Sequence, residues 1–141
     1  MDLLYADTLK VVYDLSTGDS RKIETHLINS IGAVSRYYAA EKKKLEVKVV
    51  ISGDAYKYFI DDLKASPYAS EKDVADIQAY FKIRLQDLHD VYDVTFQMCS
   101  SGMKMKNIEK QTLYKFVEAE KMKSVYLIDA QNDGYAYMPI H

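Results

Sequence analysis

Leu45-Glu46-Val47-Lys48-Val49-Val50-Ile51-Ser52-Gly53-Asp54 carries an almost unbroken β-branched run, Val47 to Ile51, closed by a small polar turn. A run of that length and composition reads as a strand, Leu45 to Ser52, buried on both faces. Such strands belong to parallel sheets covered by helices on either side. Three further runs rich in β-branched and aromatic residues have strand length: Leu9 to Leu15, Tyr92 to Met98 and Ser124 to Asp129. Between the runs, apolar residues recur at helical spacing. Ile23, Leu27, Ile31, Val34 and Tyr38 form one stripe, and Val74, Ile77, Phe81, Leu85 and Leu88 form another. Tyr56, Phe59, Ile60 and Leu63 give a shorter helical pattern, and Leu113, Phe116, Val117 and Met122 predict a helix before the fourth strand.

Short polar residues that accept hydrogen bonds from the free amides of a first turn mark the helix starts: Asp19 or Ser20, Asp54, Ser70 and Thr112. Asn132-Asp133-Gly134 offers the positive φ angles of a tight hairpin, which predicts a fifth, antiparallel strand at Tyr135 to Met138. Strands alternating with helices imply crossover connections. The expected class is α/β, a mainly parallel sheet of about five strands between helical layers, with the last strand antiparallel.

The whole chain of 141 residues carries 19 Lys and Arg against 21 Asp and Glu, a net charge of −2, and one cysteine. That length suits a single domain, which buries roughly two-thirds of the surface its unfolded chain exposes and needs no disulfide. One cysteine closes no internal bridge, so a secreted disulfide scaffold and a thiolate-rich metal site are excluded, and a reducing compartment fits. The charge balance argues against direct nucleic-acid binding. Met1 to Asp7 lacks the positive n-region of a secretory leader. No window reaches the roughly 18 uninterrupted apolar residues of a membrane-spanning helix. A cytoplasmic protein without membrane contact is expected.

In a parallel sheet, reactive groups collect in loops beyond the carboxyl ends of the strands. Four loops qualify: Ser16 to Asp19, Ser52 to Asp54, Cys99 to Gly102 and Ala130 to Asp133. The third holds the only thiol. There a strand, Val94 to Met98, runs into a small-residue turn and a short helical segment. Free amides of Ser100, Ser101 and Gly102 would then favour thiolate over thiol, with Lys104 and Lys106 adding positive potential. A lone cysteine also packs readily as a small hydrophobe. Two known chemistries fail on spacing. Gly102 stands where Cys-x-x-Cys exchange needs its second thiol, and Met105 where a Cys-x5-Arg phosphatase loop needs its arginine. His26, His89 and His141 show no metal-ligand spacing, so no metal is predicted. Ser16-Thr17-Gly18-Asp19 lacks the Lys-Ser/Thr ending of a phosphate loop, which leaves Gly18 a turn residue. Asp54 after Gly53 reads as a cap near the site. Glu41 to Lys44 reads as a solvated helix end. Thirteen tyrosines exceed what a core of this size needs and suggest a subunit interface.

With the Cys99 loop and the chain ending in view, the sequence resembles the DsrE/DsrF-like, TusD-related sulfur-relay family over about residues 9 to 141. The matching pieces are Val11-Val12-Tyr13-Asp14-Leu15-Ser16-Thr17-Gly18-Asp19, Val49-Val50-Ile51-Ser52-Gly53, Phe96-Gln97-Met98-Cys99-Ser100-Ser101-Gly102-Met103 and Gln131-Asn132-Asp133-Gly134-Tyr135-Ala136-Tyr137. The resemblance implies a three-layer α/β/α domain over residues 1–141, with residues 1–8 as an N-terminal extension. It also implies homo-oligomers (dimers, trimers or hexamers), and it places on Cys99 the cysteine that holds sulfane sulfur as a persulfide. Donor and acceptor proteins or small persulfides would be its partners, and no cofactor would be needed. Thr17, Gly18, Gly53 and Asp54 are expected in neighbouring loops. With no second cysteine, transfer must finish on a partner. Two other readings stay open: an oligomeric module that binds a small ligand or partner in the same strand-end cleft, and a redox-sensing thiol protein without transfer activity.

Overall fold

The computed structural model describes residues 7–141. Strand β1 (Asp7–Leu15) leads to α1 (Ser20–Lys22), a π-helical turn (Ile23–Asn29) and α2 (Ser30–Ala40), which follow one another without a break. Strand β2 (Lys43–Ile51) follows, then a 3-10 segment (Gly53–Phe59) and the long α3 (Lys72–Tyr92). Strand β3 (Thr95–Met98), α4 (Ser100–Lys106), β4 (Val117–Glu118), α5 (Lys123–Asn132) and β5 (Ala136–Ile140) complete the order. Asp19 caps the first helix as expected, its side chain accepting from the Arg21 and Lys22 amides.

The five strands form one sheet in the order β4-β3-β2-β1-β5, and every pairing is parallel. Parallel neighbours need a crossover between them. The chain builds outward from β1 to β4, then crosses back to set β5 on the far side of β1. Crossovers keep one hand, so reversing the direction of travel moves the connecting helix to the other face. The side chains obey this. Val11, Tyr13 and Leu15 of β1 with Val47, Val49 and Ile51 of β2 join the main core under α2 and α3, together with Phe96 and Met98. On the other face, Val12 and Val50 pack against Tyr126 and Ala130 of α5. Only the end of β2, Val49 to Ile51, is buried on both faces. Its first half alternates, with Glu46 and Lys48 half-exposed.

Several expectations need correction. Ser124 to Asp129 is no strand. It lies within α5, where Tyr126 and Ala130, one helical turn apart, reach the sheet. Burial of that pair outweighs the β propensity of Val125, Tyr126 and Ile128. Asn132-Asp133-Gly134 accordingly ends a helix instead of turning a hairpin. The Tyr135 amide donates to Ala130 O at 3.0 Å and the Gly134 amide to Gln131 O at 3.2 Å, the two bonds of a left-handed helix stop. The last strand therefore returns parallel to β1, pairing Val11 with Ala136 through Leu15 with Ile140. The helix expected around Leu113 to Met122 is a 3-10 turn at Lys110–Thr112 followed by β4. Neither Ser70 nor Thr112 caps a helix, because α3 starts after Glu71 and Thr112 closes a turn. Strand β3 begins at Thr95 because α3 runs on to Tyr92 and stops at Asp93 with φ 58°. Strand β1 takes in Asp7 and Thr8, and residues 1–6 of the expected extension lie outside the described residues.

The helix stop gives a direct test. Gly134 has φ +87°, and an added Cβ would meet nothing within 4 Å. The penalty of Gly134→Ala is therefore conformational alone, about 1 kcal/mol, read as a lower urea midpoint. An unchanged midpoint would contradict this assignment.

Candidate functional site

Cys99 follows the last residue of β3 and holds the N-cap position of α4. Its amide still donates to Ile51 O at 2.9 Å, continuing the sheet one residue past the strand. From there α4 turns toward the main core, into which Met103 is packed. The next connection, from β4 into α5, goes to the opposite face. Cys99 thus lies where successive crossovers change faces, the position at which open α/β sheets form crevices.

The α5 start meets the sulfur. Met122, the N-cap of α5, supplies no capping side chain, and the Lys123 amide donates to Cys99 Sγ at 3.1 Å. The sulfur serves as acceptor for one of the amides that a helix start leaves free. The Gly102 and Ser101 amides of α4 also face it, short of directed capping bonds. Tyr56, from the 3-10 segment after β2, donates its hydroxyl to Cys99 O at 3.0 Å and stands beside the sulfur as well. Burial pushes the Cys99 thiol up. The Gly102 amide, the Lys123 amide, the Tyr56 hydroxyl and the Ser101 amide together outweigh it, so the thiol ionises below its ordinary range. Burial and the neighbouring sulfur push Tyr56 the other way, which keeps it a proton donor. Gly102 makes this contact possible, since a Cβ there would collide with the Tyr56 hydroxyl. Cys99 is 9% exposed. The arrangement can hold a sulfur anion on fixed dipoles at a largely buried position.

Lys123 is anchored at its far end. Its ammonium stands 3.0 Å from Oδ1 of Asp14, which is 3% exposed, and the approach falls outside hydrogen-bond angles, so the contact is Coulombic. The other carboxylate oxygen accepts the Tyr137 hydroxyl at 2.6 Å, and that bond pushes Tyr137 up to about 12. One residue thus ties the buried end of β1 to the sulfur, through its side chain and its amide.

Other residues expected here meet each other and not the thiol. The Asp54 amide donates to Ser16 O at 3.1 Å, Gly53 adopts φ +59° with Ser16 O 3.0 Å from where a Cβ would sit, and the Asp19 amide donates to Thr17 Oγ1 at 3.1 Å. Gly18 is packed against Asp54, and its carbonyl accepts the Tyr58 hydroxyl at 2.6 Å. Asp54 lies in the first turn of a 3-10 segment whose N-cap is Ser52, so it is not itself the cap. The Ala130 to Asp133 stretch is the end of α5 and forms no loop at the site. Lys104 and Lys106 are exposed at the end of α4, and Lys106 lies over the Tyr56 ring at 5.9 Å. The lysine that meets the sulfur is Lys123, through its backbone amide and not its ammonium, and sequence reasoning missed it because its segment reads as the approach to a strand. Tyr56 was hidden as one apolar position in a helical stripe. The hydrogen-bond partners of Cys99 include no histidine. His89 pairs with Asp90 and His141 with Ser16. Among the described residues, no group of three or more His, Cys, Asp or Glu side chains is placed to hold a metal, and no helix is long and apolar enough to cross a membrane.

Comparison with known proteins adds three findings. The sequence model of the DsrE/DsrF-like family matches residues 11–140. An uncharacterized protein of Aquifex aeolicus (strain VF5) is 29% identical over 136 residues, 96% of this chain, and the chain spans 58% of that relative's length. A solved structure, that of a protein of unknown function, MTH1491, from Methanobacterium thermoautotrophicum, has a similar fold. Its TM-score is 0.58 at 18% identity, covering 93% of this chain and 98% of that one.

Removing single donors tests the electrostatics. Tyr56→Phe keeps the ring and deletes the hydroxyl, so the pH midpoint of Cys99 alkylation by iodoacetamide rises and stability falls by about 1 kcal/mol. An unchanged midpoint would show that the hydroxyl does not act on the sulfur. The folded-state pKa lies below the unfolded one. Stability relative to Cys99→Ser therefore climbs with pH between the two values, stays at its full value above the unfolded pKa, and is lost as pH falls through the folded pKa. Urea unfolding at several pH values measures it, and a flat difference would contradict the lowered pKa.

Proposed function

The chain belongs to the DsrE/DsrF-like family, and on that premise we propose that it is an intracellular sulfur carrier holding sulfane sulfur as a persulfide on Cys99. The observation that carries the reading is the Lys123 amide, 3.1 Å from Cys99 Sγ, joined by the Gly102 and Ser101 amides around a thiol of lowered pKa. In the loading step the Cys99 thiolate attacks the outer sulfur of a donor persulfide. The donor S–S bond breaks, and the donor leaves as a thiolate. In the unloading step an acceptor thiolate attacks the outer sulfur now on Cys99, and Cys99 leaves as the thiolate its amides stabilise. Both steps exchange one S–S bond for another, so no oxidant or cofactor enters. With one cysteine in the chain, no internal thiol displaces the cargo, and delivery needs a second protein or a small thiol. Homo-oligomers are part of the same proposal, with exposed Tyr137 and Met138 on the edge strand as contact residues.

The small exposure of Cys99 favours one alternative, a binding module in which the sulfur only packs and caps α5. Mass spectrometry after incubation with a small persulfide donor separates the two. A carrier gains about 32 Da, one sulfur atom, at one equivalent per chain, and loses the gain in Cys99→Ser and on treatment with an acceptor thiol. A chain that stays unmodified at Cys99 under excess donor is no carrier.

A further inference from the structure

Helices α2 and α3 pack side by side on the main core, and a groove of about 450 Å³ runs between them, lined by Ile28, Gly32, Ala33 and Leu88. That volume lies within the size range of small-molecule sites. Two arginines reach across the groove in opposite directions. Arg36 of α2 donates to the Tyr92 hydroxyl of α3 at 3.2 Å. Arg84 of α3 donates to the Tyr80 hydroxyl and, at 2.7 Å, to Oδ1 of Asn29, the residue just before α2. Both arginines line the same space.

Gly32 lets Arg36 lie across the groove. A Cβ there would stand 3.1 Å from Arg36 Nη1 and 3.6 Å from the Tyr92 hydroxyl, the first closer than ordinary van der Waals contact. Every acceptor of the two guanidinium groups is neutral, and neither group is paired with a carboxylate among the described residues. One acid, Asp87, also lines the groove and pairs with neither. A guanidinium has more N–H donors than the one bond of Arg36 or the two of Arg84 engage. Asn29 and Gly32, against which the two groups rest, are three residues apart, roughly 5–6 Å on a helix face. The remaining donors therefore flank one space from two sides.

We propose that this groove binds a small phosphate monoester, its phosphate held between Arg36 and Arg84. Two guanidinium charges against one carboxylate leave a positive excess that selects an anion. A tetrahedral phosphate presents oxygens in several directions and meets donors on both sides, whereas the two oxygens of a carboxylate share one plane and suit a single guanidinium fork. Ala33 and the Tyr92 ring border the space left for the organic part. The site shares no residue with the contacts of Cys99 and does not depend on the carrier reading.

Isothermal titration calorimetry of the full chain with phenyl phosphate and with benzoate tests this. Phenyl phosphate binds one per chain, inorganic phosphate displaces it, and benzoate binds at least about tenfold more weakly, the effect of one charge-assisted contact. Arg36→Gln and Arg84→Gln, made separately, each weaken phenyl phosphate by about tenfold or more, and Asp87→Asn strengthens it. Gly32→Ala keeps every charge and favours the helix, so it weakens phenyl phosphate without lowering the urea midpoint. No saturable binding of phenyl phosphate, equal affinity for benzoate, or binding unaffected by both arginine substitutions would overturn the proposal.

Discussion

Parallel pairing of β1 with β2, in register from Asp7 opposite Lys43 to Leu15 opposite Ile51, governs the rest of the molecule. Two parallel strands cannot be joined by a tight turn, so the chain between them must become a helix and lie on the sheet. The same demand recurs at each later pairing. Once β5 is placed beyond β1, the last crossover must use the other face. Alternation along β1 shows both outcomes in one strand, Val11 and Tyr13 meeting the main core while Val12 meets α5. The change of face puts the starts of α4 and α5 on either side of one residue, Cys99. Its properties follow from sheet topology before any local feature is considered.

The sulfur site is the product of two opposed effects. Burial disfavours a thiolate, and amide dipoles favour it. The dipoles prevail here because two helix starts and a tyrosine hydroxyl converge on one atom. Lys123 contributes twice, its amide on Sγ and its ammonium at the buried Asp14. Asp14 is itself held by Tyr137 of the last strand. Strand β5 therefore supports the site although it lies at the far edge of the sheet: Tyr137, opposite Val12 in register, reaches two residues along β1 to Asp14.

Much of this was legible in the sequence. The β-branched runs at Leu9 to Leu15 and Leu45 to Ser52 mark real strands because burial and local propensity agree there. Asp19 caps a helix because short acids satisfy free amides wherever a helix starts. Cys99 could be placed after a strand and before a short helix by pattern alone. What failed did so where two local signals were degenerate. Asp-Gly supplies a positive φ equally well to a hairpin and to a helix stop, and Gly134 does the latter. Ser124 to Asp129 has strand-like residues, yet the burial of Tyr126 and Ala130 against Val12 and Val50 is a long-range fact that no window contains. The same reason hid Lys123, which is 24 residues from Cys99, and Tyr56, 43 residues away. Within the helical stripe of Ile23, Leu27, Ile31, Val34 and Tyr38, the sequence showed three- and four-residue spacing but not the π-helical turn at Ile23–Asn29.

The central claim is that Cys99 ionises more readily than an ordinary cysteine even though it is largely buried. Titrating its thiolate by ultraviolet absorbance, with Cys99→Ser as the blank, measures this directly. The account predicts an inflection below that of the same cysteine in the urea-unfolded chain. An inflection at or above that value would mean that burial outweighs the amides, and the account would be wrong.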